Sequence, residues 1–309
     1  MSKSSDQFKP DSQKPARIDG FSIKSVFLFT ESDFKTVLLP QGVFALSIVS
    51  AKYRISENLT QPTPDKVLLW LPLITVWIWV HLVVAGTSNR SLPESKLEDQ
   101  INKAQRPVRT VKLTSMETLT TLRTVVILSM GMSLVFNSYL PSIIFMILLW
   151  VYNDLVRNNA GPWTRNGLNA LGMACFNWGA ARTFLGSEAS KNEKVLGNWY
   201  VLMAAIAMTT IHTQVFPDVA GDEGQGRKTM SSVYGEAFPR WSIASFVMAW
   251  SLICLKLWNV SSWVACLSSV GLGAIISALV LLRLGRLSDG WAWRLWCYWV
   301  ITLYLQPVA

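Results

Sequence analysis

Apolar residues in this chain gather into long runs separated by polar stretches. Several runs reach about 17 to 25 residues, the length an α-helix needs to cross a bilayer. The pattern predicts nine spanning helices. They run roughly over Phe34 to Ala51, Val67 to Gly86, Leu122 to Phe136, Leu140 to Tyr152, Asn166 to Phe184, Leu196 to Phe216, Trp241 to Trp258, Trp263 to Leu282 and Trp291 to Leu305. Pro40 falls inside the first, where neighbouring helices can satisfy the carbonyl it frees. Asn137, Ser138 and Pro141 separate the third from the fourth. The expected fold is therefore all-α, a polytopic transmembrane bundle of about nine helices filling residues 31–309. Residues 1–30 are expected to form a separate cytoplasmic segment, and its first twenty positions, rich in Lys, Ser and Pro, are expected to be disordered. They hold no apolar core of a secretory signal, so the first span is expected to direct insertion.

Composition agrees with a membrane protein. Of 309 residues, 51% are hydrophobic and only 15% charged, with fifteen Trp. The net charge of +9 does not imply nucleic acid; in such a chain Lys and Arg mark cytoplasmic loops and contacts with anionic headgroups. Nine spans put the termini on opposite sides. Loops on the amino-terminal side hold most of the basic residues, among them Lys96, Lys103, Arg106, Arg227, Lys228, Arg240 and Arg286. The positive-inside rule puts those loops and the amino terminus in the cytoplasm. Cys175, Cys254, Cys266 and Cys297 lie in apolar runs without CxxC spacing and are read as buried free thiols. His81 and His212 each sit within a span, where hydrogen-bonded packing is the favoured role.

Two interior stretches break the apolar pattern with dense charge. The second, FPDVAGDEGQGRKTM (Phe216 to Met230), is the sharper signal. Asp218 and Asp222 stand four apart and share one face if the helix persists. Paired carboxylates of this kind hold Mg²⁺, a hard cation that takes oxygen ligands and shares them with substrate phosphates. Arg227 and Lys228 suit a diphosphate, Arg as a bidentate fork and Lys as a point charge. The plainer alternative is a solvated, charged inter-helix loop. The first stretch, Asn89 to Thr110, offers Asn89, Glu94, Glu98, Asp99 and Asn102 as oxygen ligands and Lys103, Arg106 and Arg109 as phosphate binders. A juxtamembrane charge run is its competing explanation. Glu98 and Asp99 point in different directions on a helix, so one of the two is expected to face the metal. Each stretch leaves a span on the cytoplasmic side. Together they fit a metal-dependent enzyme that ionises a diphosphate ester, with an apolar, Trp-rich interior to receive the hydrocarbon.

These motifs resemble those of the UbiA superfamily of membrane-embedded prenyltransferases. The first is Asn89 followed by Glu98-Asp99-Gln100-Ile101-Asn102-Lys103-Ala104-Gln105-Arg106-Pro107; the second is Asp218-Val219-Ala220-Gly221-Asp222 with Gly226-Arg227-Lys228-Thr229. Tyr152 to Leu155 (YNDL) and Arg165 to Gly172 (RNGLNALG) resemble a fungal branch that includes membrane-bound sesquiterpene cyclases of the bergamotene-synthase type. The chain departs from the pattern where Val215 replaces a first aspartate and Ala104 a proline. The resemblance implies an Mg²⁺ cofactor and a prenyl diphosphate substrate, farnesyl diphosphate being the expected length. It implies metal ligands from Asn89, Glu98, Asp99, Asp218 and Asp222, with Asp99, Asp218 and Asp222 catalytic. Asn102, Lys103, Arg106, Arg227 and Lys228 would hold the diphosphate. Terpene cyclisation is favoured over transfer of the prenyl chain to an acceptor, and the fungal likeness implies an endoplasmic-reticulum membrane. Outside the enzyme class, a transporter binding an anionic solute would need ionisable residues within the spans, and the middles of these spans hold very few. An inactive member that keeps the fold is the third possibility.

Overall fold

Inside a bilayer each backbone N–H and C=O must be satisfied within the protein, which leaves a long apolar run helix as its spanning form. A computed structural model of the protein describes residues 27, 30, 33–51, 63–90, 115–156, 160–219 and 228–309, and there every predicted run is helical. Helix α1 opens with a π-turn over Phe34–Leu38 and continues as α-helix over Leu39–Ser50. Helix α2 covers Pro64–Arg90 and α3 Ser115–Val135. Helix α4 runs over Tyr139–Trp150 and passes into a π-helical stretch, Val151–Val156. Pro162–Leu185 forms α5 and Ser187–Lys191 the short α6. Helix α7, Glu193–Thr210, tightens into a 3-10 stretch over Ile211–Asp218. Then come the short α8 (Met230–Tyr234), α9 (Ala237–Leu257), α10 (Trp263–Leu282) and α11 (Arg286–Leu305). No strand occurs among the described residues.

Six helices, α2, α3, α4, α7, α9 and α10, are long and apolar enough to cross a membrane. Helix α1 is apolar but shorter. Helices α5 and α11 have the length but carry Arg165 and Arg182, and Arg286, Asp289 and Arg294, respectively. Apolar side chains face outward, with Leu68, Ile127, Val201, Leu252 and Leu267 exposed, as expected of lipid-facing surface. The protein is an integral, multi-pass membrane protein. Pro40 lies inside α1, just past the junction where the π-turn passes into α-helix, so its missing N–H leaves a carbonyl of the preceding turn without its intrahelical donor. Asn137 turns the chain between α3 and α4 with a left-handed φ of 54°, and Ser138 N–H closes the turn on Ser133 O at 2.8 Å.

The larger core cluster includes Phe44, Trp199, Ile243, Trp296, Trp299 and Tyr304; a second includes Ile74, Trp77, Phe145 and Phe176. Indole N–H groups lace the helices together through small hydroxyls. Trp296 Nε1 donates to Thr210 Oγ1, Trp250 Nε1 to Thr209 Oγ1 and Trp299 Nε1 to Ser251 Oγ, each at 2.9 Å. Two glycines permit close helix approach: a Cβ on Gly179 of α5 would collide with the Trp77 ring of α2, and one on Gly273 of α10 would lie 2.9 Å from Ser251 Oγ of α9. Three of the thiols, Cys175, Cys254 and Cys297, are buried, whereas Cys266 is half-buried; all four are free.

Polar contacts fix which helix ends lie together. Asn153 Nδ2 of α4 donates to Ser88 Oγ, near the carboxyl end of α2, at 2.8 Å. Asn166 at the start of α5 reaches His212 in the 3-10 end of α7 at 3.3 Å. Arg286 Nε at the start of α11 donates to Pro217 O at 2.9 Å. Arg240 near the start of α9 pairs with Asp289 of α11. The carboxyl ends of α2, α4 and α7 and the amino ends of α5, α9 and α11 therefore meet at one end of the bundle.

Candidate active site at one end of the bundle

The two charge-dense stretches begin at this shared end. Asn89, the penultimate residue of α2, is exposed there. Asp218 is the last residue of the 3-10 stretch that prolongs α7. Lys228 is exposed, and Thr229 after it is buried. Thr229 is the N-cap of α8: its Oγ1 accepts from Ser232 N–H at 3.1 Å and its own N–H donates to Ser232 Oγ at 2.8 Å, a closed capping box. Glu94, Glu98, Asp99, Asn102, Lys103, Arg106, Arg109, Asp222 and Arg227 lie outside the described residues. Among the described residues no three His, Cys, Asp or Glu side chains come close enough to hold a metal ion. The donor types that bracket the site, a carboxamide and a carboxylate, are oxygen donors, and that chemistry fits a hard cation such as Mg²⁺.

Two of the helices that meet at this end leave regular geometry as they reach it. Helix α4 relaxes into a π-helix and α7 tightens into a 3-10 helix, departures that are frequent at functional sites. Asn153 and Asp154 do not terminate α4: the helix continues through them, and buried Asn153 anchors the end of α2 one residue before Asn89. His212 is held on both sides. Asn166 Nδ2 donates to its Nδ1, which leaves Nε2–H to donate to Ser242 Oγ at 2.9 Å, and Ser242 Oγ donates on to Pro239 O. His81 is engaged likewise, with Nδ1 2.8 Å from Trp77 O and Nε2 2.9 Å from Ser142 Oγ. Both histidines are packing residues in this structure, as their lone intramembrane positions suggested. Of the carboxyl-terminal tryptophans, Trp296 and Trp299 are fully buried, whereas Trp291 is exposed with Arg294 over its ring at 4.9 Å.

The sequence pattern missed one feature. Arg240 and Arg286, taken as loop cations, lie on α9 and α11. Arg240 makes a two-pronged pair with Asp289, Nη1 to Oδ1 at 2.7 Å and Nη2 to Oδ2 at 2.9 Å. A signal was present: Asp289 is an acid in the first turn of a largely apolar helix, and such residues seek a partner. An outward-opening groove of about 780 Å³ lies at the other end, between α7 and α9, lined by Val195, Asn198, Trp199, Leu202, Leu257 and Trp258. Among the described residues no predicted site residue borders it, so we place the candidate site at the shared helix ends rather than in this groove.

Comparison with known proteins follows the same geography. Residues 59–301 match the UbiA prenyltransferase family. The chain is 27% identical over 237 residues to the fumagillin beta-trans-bergamotene synthase af520 of Aspergillus fumigatus, covering 77% of this chain and 75% of that protein. It is 24% identical over 278 residues to the polyprenyl transferase eriF of Hericium erinaceus, covering 88% and 89%. A UbiA homolog from Archaeoglobus fulgidus, solved bound to DMAPP and Mg²⁺, shares the fold with a TM-score of 0.60 at 16% identity, covering 92% of this chain and 99% of that one. A family match running from before α2 to within α11, a helical bundle of the same fold and relatives named as a bergamotene synthase and a polyprenyl transferase together establish that this chain belongs to the UbiA prenyltransferase family and is an enzyme acting on a prenyl diphosphate.

Proposed function

We propose that the protein is an Mg²⁺-dependent enzyme that ionises farnesyl diphosphate and cyclises it to a sesquiterpene. The observation that carries this reading is the convergence of the α2 and α7 ends, which brings the starts of both charge-dense stretches to one end of an apolar bundle. Asn89, Asp218, Asp222 and one of the neighbouring pair Glu98 and Asp99 are the oxygen ligands for the metal, and Asn102, Lys103, Arg106, Arg227 and Lys228 grip the diphosphate. Mg²⁺, when bound, neutralises charge on the departing diphosphate. Cleavage of the allylic C–O bond leaves an allylic cation and inorganic diphosphate. In a cyclase an internal alkene captures the cation, and loss of a proton restores a neutral hydrocarbon. The apolar helix faces exclude water that would otherwise trap the cation, and aromatic faces can stabilise it. The bergamotene synthase relative favours this outcome. Prenyl transfer to an aromatic or other acceptor shares the same ionisation step, and the polyprenyl transferase relative favours that second reading. We place the amino terminus and the site on the cytoplasmic face, which the distribution of Lys and Arg supports; the endoplasmic-reticulum membrane rests on the fungal resemblance alone.

The deciding experiment incubates the purified protein in detergent or proteoliposomes with Mg²⁺ and farnesyl diphosphate, without an acceptor, and analyses extracted hydrocarbons by mass spectrometry. A cyclic sesquiterpene that disappears with EDTA is expected. Consumption that appears only once an aromatic acceptor is added would replace cyclisation with transfer. No release of diphosphate in either condition, repeated with geranyl and geranylgeranyl diphosphates, would sink the enzymatic reading.

A further inference from the structure

The Arg240–Asp289 pair does more than join two helices. Its side chains are only 13% and 6% exposed. Beyond Asp289, Arg240 Nη1 donates to Val280 O at 2.9 Å, and the guanidinium stands over the Phe216 ring, 4.5 Å from its centre. Val280 lies in the last turn of α10, where carbonyls have no donor within the helix. Asp289 lies in the first turn of α11, where the helix dipole favours a carboxylate. Ser288 Oγ donates to Leu279 O at 3.2 Å and closes the same junction. One guanidinium thus gathers the ends of α9, α10 and α11, and its remaining face is covered by a residue of α7.

That residue and the next are the last two before Asp218. Arg240 holds the Phe216 ring, and Arg286 Nε, at 2.9 Å, holds the Pro217 carbonyl. The Pro217 carbonyl belongs to the peptide group that supplies the Asp218 nitrogen, so fixing it fixes the rotation with which the chain enters the second motif. A staple between α9, α10 and α11 alone would have no need of either contact. We infer that Arg240, Asp289 and Arg286 are positioning residues that set the backbone from which Asp218 projects. Asp289 also occupies the Arg240 fork, so Arg240 is not a diphosphate ligand. The consequence for metal binding rests on the function proposed above; the positioning itself does not.

The test uses the full chain and two readouts. The variants are Arg286→Gln, whose exposed side chain can be changed without emptying the core, Asp289→Asn, and the charge exchange Arg240→Asp with Asp289→Arg. In the metal-free protein, amide hydrogen exchange over 211–219 is expected to accelerate in Arg286→Gln and Asp289→Asn, with α2 and α3 unaffected, and to stay fast in the exchanged pair, which restores the ion pair but not the guanidinium over Phe216. In turnover with farnesyl diphosphate, the Mg²⁺ concentration for half-maximal rate is expected to rise about 10-fold or more, as for residues that orient metal ligands, while KM for the substrate stays close to that of the parent. Unchanged exchange over 211–219 in Arg286→Gln overturns the proposal. So does faster exchange with an unchanged Mg²⁺ requirement, which would leave these residues purely structural. If the parent protein turns over no prenyl diphosphate, the proposed function fails, and hydrogen exchange alone still decides the positioning.

Discussion

The two ends of the bundle each carry an arginine–carboxylate pair, and the pairs differ in what they connect. At the end away from the charge-dense stretches, Arg182 Nη2 donates to Glu193 Oε2 at 2.9 Å across the α5–α6–α7 turn, with Glu193 39% exposed. Lys191 and Glu188 form a second, local pair in α6. These residues are near neighbours in sequence and close a turn that the chain already enforces. At the motif end, Arg240 and Asp289 are 49 residues apart, use two hydrogen bonds and bring α7, α10 and α11 to one point. Similar charges are thus a local fastening at one end and the support of a candidate site at the other. The arginines are buried alike, and burial of the carboxylate, Asp289 against half-exposed Glu193, makes the difference, since a desolvated charge holds its partner strongly and tolerates no loss of it.

The comparison breaks most decisively if the motif end carries no chemistry. Replacing Asp218 or Asp222 with Ala is expected to lower diphosphate release by about 100-fold or more, in line with loss of one electrostatic stabiliser of a departing group; retained full turnover would remove both from the metal site. The next effect is on stability. Asp289→Ala leaves Arg240 buried and uncompensated and is expected to cost about 3–5 kcal/mol in reversible unfolding in detergent. A double-mutant cycle with Arg240→Met should recover much of that loss, because an apolar pair buries no orphan charge. Between the two ends, Gly179→Ala is expected to cost about 1–3 kcal/mol, because the new methyl group must displace the Trp77 indole, itself fixed by a hydrogen bond to Ser133. The smallest effect belongs to the opposite end: Lys191→Ala should change stability by less than about 0.5 kcal/mol and leave turnover alone. If the loss there matched that of Asp289→Ala, the contrast between the ends would disappear.

The limits of a sequence reading follow the same division. Helices were legible wherever apolar runs were long, because lipid supplies no hydrogen-bonding partner and so dictates helix without reference to the rest of the fold. Their ends were less so. Helix α3 starts at Ser115, ahead of the apolar run at Leu122, since polar Thr and Glu positions prolong a helix beyond the hydrocarbon. The second motif stands out in the sequence because Asp218, Asp222, Arg227 and Lys228 are close together, and local spacing alone suggests the chemistry. Asn153 was less readable: it falls just past the apolar run that ends at Tyr152, and only the neighbouring α2 shows it to be an anchor for the end of that helix, one residue before Asn89.

By itself, the sequence determined that the chain is a helical membrane protein, that two charge-dense stretches lie outside its spans, and that the second carries paired carboxylates beside cations. All of these follow from residues within one or two helical turns of one another. Only the tertiary structure decided that the ends of α2 and α7 share one end of the bundle, that both histidines are bound on both nitrogens, and that Arg240 is a buried support and not a loop cation. Each of those depends on partners tens of residues away, and a charge has no identity as ligand, clamp or headgroup contact until packing decides how much water reaches it and which group faces it.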